Sequence, residues 1–257
     1  MVRGLDIFKK YFEEFPDSYV IIGGTACDII IDKERLTPRA TKDIDIILIV
    51  EALSAAFVKQ FWTFILDGDY ERKEKSDDER QYYRFLKPKQ SEFPYQIELF
   101  ARNPDLIDLD ELAYLTPIPV DDDLSSLSAI LLDDDFYHYM LKQSVFENGL
   151  HYANSEALIC LKAKAYFEIA ERIANGSKED GKQLRKHKGD IFRLAVLLKE
   201  TDVFELPGGI KVHLQAFADS IVNELPDSVI FKEMGLGSVD PENVLKQIIK
   251  SFQLNGK

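Results

Sequence analysis

Between Tyr19 and Val50 the chain reads YVIIGGTACDIIIDKERLTPRATKDIDIILIV. Two apolar, β-branched runs, residues 18–22 and 44–50, flank a stretch of helical character. Runs of this kind form strands that must be buried in a sheet. Gly23 and Gly24 end the first run, so strand passes into helix with no side chain at the junction. The second run carries Asp43 and Asp45. Side chains alternate faces along a strand, so both aspartates point one way while Ile44 and Ile46 point into the core. Two carboxylates this close repel each other unless a cation lies between them. Mg²⁺ suits the position because it takes protein oxygens and substrate phosphates together. The glycine junction then lets backbone N–H groups and the positive end of the helix approach a phosphate. The Thr25 hydroxyl is a further donor there.

Phosphoryl-type chemistry at two metal ions calls for a third carboxylate. Glu98 in YQIELF is the best candidate, because Gln96 and Glu98 share one strand face while Ile97 and Leu99 share the other. Each piece alone is common. A glycine pair after a strand is usually only a turn, and a mid-strand Glu is more often solvated than ligating. The ordered set of strand, Gly-Gly, helix, Asp-x-Asp strand and later Glu strand is far more specific.

The rest of the chain divides in texture near residue 150. Before it, helical spacing covers residues 5–15 and 53–66, and strand-like runs cover 81–87, 95–100 and 126–132, with a hairpin connection through KPKQSEFP and a charged loop at 77–80. A helix follows the second of two acidic triplets, 121–123 and 133–135, which read as turn and helix-start acids. Beyond it the chain turns helical. Asn154 or Ser155 caps a helix that Gly176 ends, LRKHKGDIFRLAVLLKE is amphipathic, and helices follow near 208–224 and 240–253. The expected fold is α+β: a small mixed-sheet domain over residues 1–150, then a helical domain over 151–257.

Composition narrows the function classes. No apolar run reaches the roughly 18 residues that a membrane span needs. The opening MVRGLDIFKK has no signal-peptide core. Cys27 and Cys160 fit no metal spacing, so a reducing cytoplasm is the expected location. A hydrolase with a nucleophilic Cys or Ser is disfavoured, because neither cysteine has a plausible base near it in sequence. The net charge of −13 argues against general nucleic-acid binding. Residues 161–200, however, hold ten lysines and arginines against six acids, a local +4 that leaves −17 for the remainder. Such an island is either a solvated helix face or a guide for a polyanion.

In these residues the chain resembles the nucleotidyltransferases of the DNA polymerase beta superfamily. IIGGTA and TKDIDI match its signature of a strand, Gly-Gly, a helix, then Asp-x-Asp. It is most similar to the AbiEii-type abortive-infection toxin branch, through RATKDID (39–45), LKAKAYFEIAER (161–172) and KHKGDIFRLAVLL (186–198). The resemblance spans roughly residues 18–200. It implies that Asp43 and Asp45 hold two Mg²⁺ ions, with Glu98 added as the third ligand from strand alternation alone, and that Gly23, Gly24 and Thr25 line the triphosphate. It also implies that Lys164, or alternatively Lys162, joins Asp190 to complete the nucleotide site from the helical part. The implied activity is transfer of a nucleoside monophosphate from an NTP to an acceptor: tRNA, protein or a small molecule. A cognate antitoxin is an expected partner, and a membrane is not. The alternative is a non-catalytic nucleotide-binding module of the same fold. Without the resemblance, Lys164 reads as a partner of Glu168 and Asp190 as a partner of Lys186, four residues away in each case. His187 reads as a core or interface histidine.

Overall fold

The protein is described from a computed structural model. Residues 2–52, 54–72, 83–101, 134–176 and 181–256 are described. The expected strand at 126–132 and the charged loop at 77–80 lie outside them. The architecture is α+β, built on a mixed sheet.

Helix α1 (Leu5–Phe12) leads through a short turn into β1 (Tyr19–Ile22), which runs directly into α2 (Gly23–Lys33). Strand β2 (Asp43–Leu48) follows, then α3 (Ala55–Gly68), β3 (Glu71–Arg72), β4 (Tyr83–Leu86) and β5 (Gln96–Ala101). After α4 (Asp134–Lys142) comes the hairpin β6 (Ser144–Glu147) and β7 (Leu150–Ala153). Five helices close the described chain: α5 (Ser155–Ala174), α6 (Lys182–Ala195), α7 (Gly208–Ile221), α8 (Val229–Glu233) and α9 (Pro241–Ser251).

The sheet order is β3-β4-β5-β2-β1-β7-β6. Strands β2 and β5 pair in parallel, as do β1 and β7, while β1 and β2 are antiparallel. Cross-strand partners share a face. Asp45 stands opposite Ile22, and Ile46 stands opposite Ile21. The Ile46 face therefore carries Tyr19, whose ring meets Phe8 of α1 edge-on at 5.3 Å. Phe12 and Phe64 extend this aromatic layer between α1 and α3. Ile22 and Ile47, on the Asp45 face, are fully buried as well. The centre of the sheet is thus covered on both sides, which explains why these strands read as near-continuous apolar runs.

The helices begin where the sequence marks them. Ser54 accepts from the Phe57 N–H at the start of α3, and Asn154 accepts from the Ala157 N–H at the start of α5. Each satisfies a donor that the helix itself leaves open. The β6–β7 hairpin has no counterpart in the strand assignments made from sequence. Its two-residue turn is Asn148-Gly149, with φ of 52° and 75°, the left-handed pair that such a tight hairpin needs.

Candidate functional site

The site starts at the β1–α2 junction. Gly23 has φ +66°, and a Cβ placed there would lie 1.8 Å from Asp45 Oδ2. The missing side chain is what lets β2 set its aspartate against the start of α2. A Cβ at Gly24 would lie 2.5 Å from Thr41 Oγ1 and 3.0 Å from Arg39 Nη2. Thr25 does something other than line a phosphate with its side chain. It is fully buried, and its hydroxyl donates to the Asp43 carbonyl. Its one proton is spent tying α2 to the start of β2. The N–H groups of the first helical turn still have no partner within α2.

Asp43 and Asp45 are both half-buried on one face of β2. Neither side chain makes a hydrogen bond or ion pair among the described residues. Burial pushes the Asp45 carboxyl up to about 6; Lys186 pulls it down, Asp43 pushes it up, and Lys162 and Arg39 pull it down. A half-buried carboxylate held against a like charge has a strong use for a cation.

Parallel pairing puts Glu98 of β5 directly beside Asp45 and Gln96 beside Asp43. The face deduced for Glu98 is therefore the aspartate face. Its carboxylate, however, is buried and accepts a hydrogen bond from Gln96 Nε2, two residues away on the same face. No group of three His, Cys, Asp or Glu side chains among the described residues is arranged to hold a metal ion. Glu98 thus neighbours the aspartates without joining them in a ready-made metal cage.

The helical part contributes an ionic cluster around Asp190 of α6. Lys162 of α5 lies 2.9 Å from Asp190 Oδ2. Arg39, from the connection between α2 and β2, grips both carboxylate oxygens at 2.6 and 2.9 Å. Arg193, one turn along α6, lies 3.8 Å away and also reaches Glu233. Burial alone would raise the Asp190 carboxyl, but Lys162 and Arg39 hold it well below the usual carboxylate range. Burial likewise works against the charge of Lys162, and Asp190 more than restores it.

Lys164 is placed differently from the expectation. Its ammonium lies 3.8 Å from Glu168 and 4.7 Å from the centre of the Phe136 ring. Two residues along a helix turn the side chain through about 200°, so Lys162 and Lys164 cannot share one cleft. Lys162 is the lysine on Asp190. Lys186, four residues before Asp190, bears electrostatically on Asp45 instead. His187 has a buried Nδ1 without a partner among the described residues, and burial lowers its pKa to about 3, so it is neutral. Arg39 is the site residue that was given no role from sequence. Its position in RATKDID, four residues before Asp43, is the one available signal.

No protein-family model matches the chain, and no curated protein does. Among solved structures the chain is similar to an antigenic nucleotidyltransferase-like protein from Paracoccidioides brasiliensis, at 15% sequence identity and a TM-score of 0.43, over 88% of this chain and 94% of that one.

Proposed function

We propose that this chain is a metal-dependent nucleotidyltransferase that moves a nucleoside monophosphate from an NTP to an acceptor, with loss of pyrophosphate. The observation that carries this reading is the pair Asp43 and Asp45, which have no partner among the described residues and stand against the side-chain-free start of α2. The donor set fits Mg²⁺, which uses one or two carboxylates and completes its shell with water and substrate phosphates. When bound, the ion would neutralise phosphate charge and sharpen the attacking oxygen. Asp43 and Asp45 would hold it. Gly23 and Gly24 leave room for phosphate oxygens beside the first N–H groups of α2. Lys186 brings positive charge to the same acids, while Arg39 and Lys162 fix Asp190 and hold α5 and α6 to the β2 side of the site. Aligned binding and charge neutralisation would supply most of the rate.

The acceptor best supported is a nucleic acid, with tRNA the first to try. Lys182, Arg185 and Lys186 lie exposed along α6, at the end that leads to Asp45. The resemblance to the AbiEii-type branch extends the proposal to a toxin restrained by a cognate antitoxin. The test is incubation with Mg²⁺, each labelled NTP and total tRNA. Label should pass to the acceptor with the wild-type chain and not with a folded Asp45→Asn variant. Full transfer by that variant would contradict the reading. A second reading, a nucleotide-binding module without catalysis, is favoured by the engagement of Glu98 with Gln96. It predicts Mg²⁺-dependent NTP binding with no transfer to any acceptor pool.

A further inference from the structure

A cavity of about 390 Å³ opens between α1, α2 and the β6–β7 turn, within the size range of small-molecule sites. None of Asp43, Asp45, Lys162 or Asp190 lines it. Its apolar wall is made by Val2, Leu5, Ile29 and Leu150. Asp28 lines it from α2 and is only 4% exposed. Asp28 Oδ1 is buried with no hydrogen-bond partner among the described residues. A buried carboxylate left without a donor is costly, so Asp28 in the lining of a cavity points to a donor that comes from outside.

We propose that this cavity is a second small-molecule site, taking a primary ammonium ion carried on a short apolar chain. Three observations select that chemistry. The lining holds four acids, Asp6, Asp28, Asp32 and Glu147, against two lysines, Lys9 and Lys33, so it favours a cation. Glu147 is already served by Lys33 at 2.7 Å and by the Tyr152 hydroxyl at 2.8 Å, which leaves Asp28 as the buried acid in need of a partner. The apolar wall suits a short hydrocarbon stem and gives a strongly hydrated ion no contacts. Burial raises the Asp28 carboxyl to about 7; Arg39 pulls it down, Asp190 pushes it up, and Lys162 pulls it down. An arriving ammonium would stabilise the charged form. The site rests on its own geometry and stands whether or not the chain transfers nucleotides.

The probe is n-butylammonium, with 1-butanol as its uncharged counterpart, titrated into the full chain labelled at Ile, Leu and Val methyl groups. Saturable NMR shifts at Leu5, Ile29 and Leu150 are expected with n-butylammonium, at least about tenfold tighter than with 1-butanol, the ratio one charged hydrogen bond supplies. Asp28→Asn should reduce the affinity to that of the alcohol. Ile29→Phe, which fills the cavity and leaves Asp28 in place, should remove the response at Leu5 and Leu150, and it keeps the test decisive if Asp28→Asn fails to fold. Equal binding of amine and alcohol would overturn the proposal, as would an unchanged response in either folded variant. So would no saturable response at all.

Discussion

Asp190 shows how one residue can tie two parts of a chain together. It is 1% exposed, yet it stays charged because Arg39 and Lys162 converge on it from separate elements. Removing its charge would leave two cations in a buried setting. Asp190→Asn is therefore expected to lower stability by about 3–5 kcal/mol, read from urea unfolding. The sign with pH follows from the depressed carboxyl. The Asp190 contribution is fully present above its unfolded value of about 3.9 and is lost as pH falls below that through its folded value. The wild type should thus lose more stability on acidification than Asp190→Asn. Gly23 makes the opposite kind of point, since what matters there is an absent side chain. Gly23→Ala would force a side chain into φ +66° and onto Asp45. A loss of more than about 2 kcal/mol is expected in the same unfolding assay, together with weakened nucleotide binding.

At the scale of elements, periodicity carried most of the reading and also marks where it stopped. The strand–glycine–helix–strand order, the capped helix after Asn154 and the amphipathic α6 were all legible, because each has a local cause in alternation, capping or three-four spacing. The β6–β7 hairpin was not read from the sequence: the strands flanking Asn148-Gly149 hold only four residues each, too few for alternation to stand out. A Cβ at Gly149 would meet only the flexible end of Lys9. Gly149→Ala should therefore cost about 1–2 kcal/mol from backbone strain alone, measured by thermal or urea unfolding. The choice between Lys162 and Lys164 was not legible, because both sit in the apolar stretch LICLKAKAYF of a helix whose rotation only tertiary packing sets. The structure gives Asp190 to Lys162. Lys162→Met should accordingly be much more destabilising than Lys164→Met, by about 2 kcal/mol or more, with α5 itself still formed by circular dichroism. Equal losses would mean that the Asp190 contact contributes little.

For the molecule as a whole, a net charge of −13 hides a local arrangement in which cations gather around two acids that have no partner among the described residues. Total charge could not reveal this, because Arg39, Lys162 and Lys186 are far apart in sequence and meet only through the packing of α2, α5 and α6. Glu98 illustrates the same limit. Alternation gave its face, but its hydrogen bond with Gln96 depends on side-chain rotation, which no spacing rule encodes. If the exposed basic end of α6 guides a nucleic-acid acceptor, transfer should fall steeply as salt rises, whereas a small acceptor would show little slope. The central claim is that Asp43 and Asp45 hold a divalent ion for a nucleotide. It is tested most directly by electron paramagnetic resonance of Mn²⁺, titrated with the chain and a non-hydrolysable analogue of each of the four NTPs. At least one analogue should draw Mn²⁺ onto the wild-type chain, and folded Asp43→Asn and Asp45→Asn variants should bind that complex at least about tenfold more weakly. Undiminished binding in those variants, or no binding of any analogue by the wild type, would contradict it.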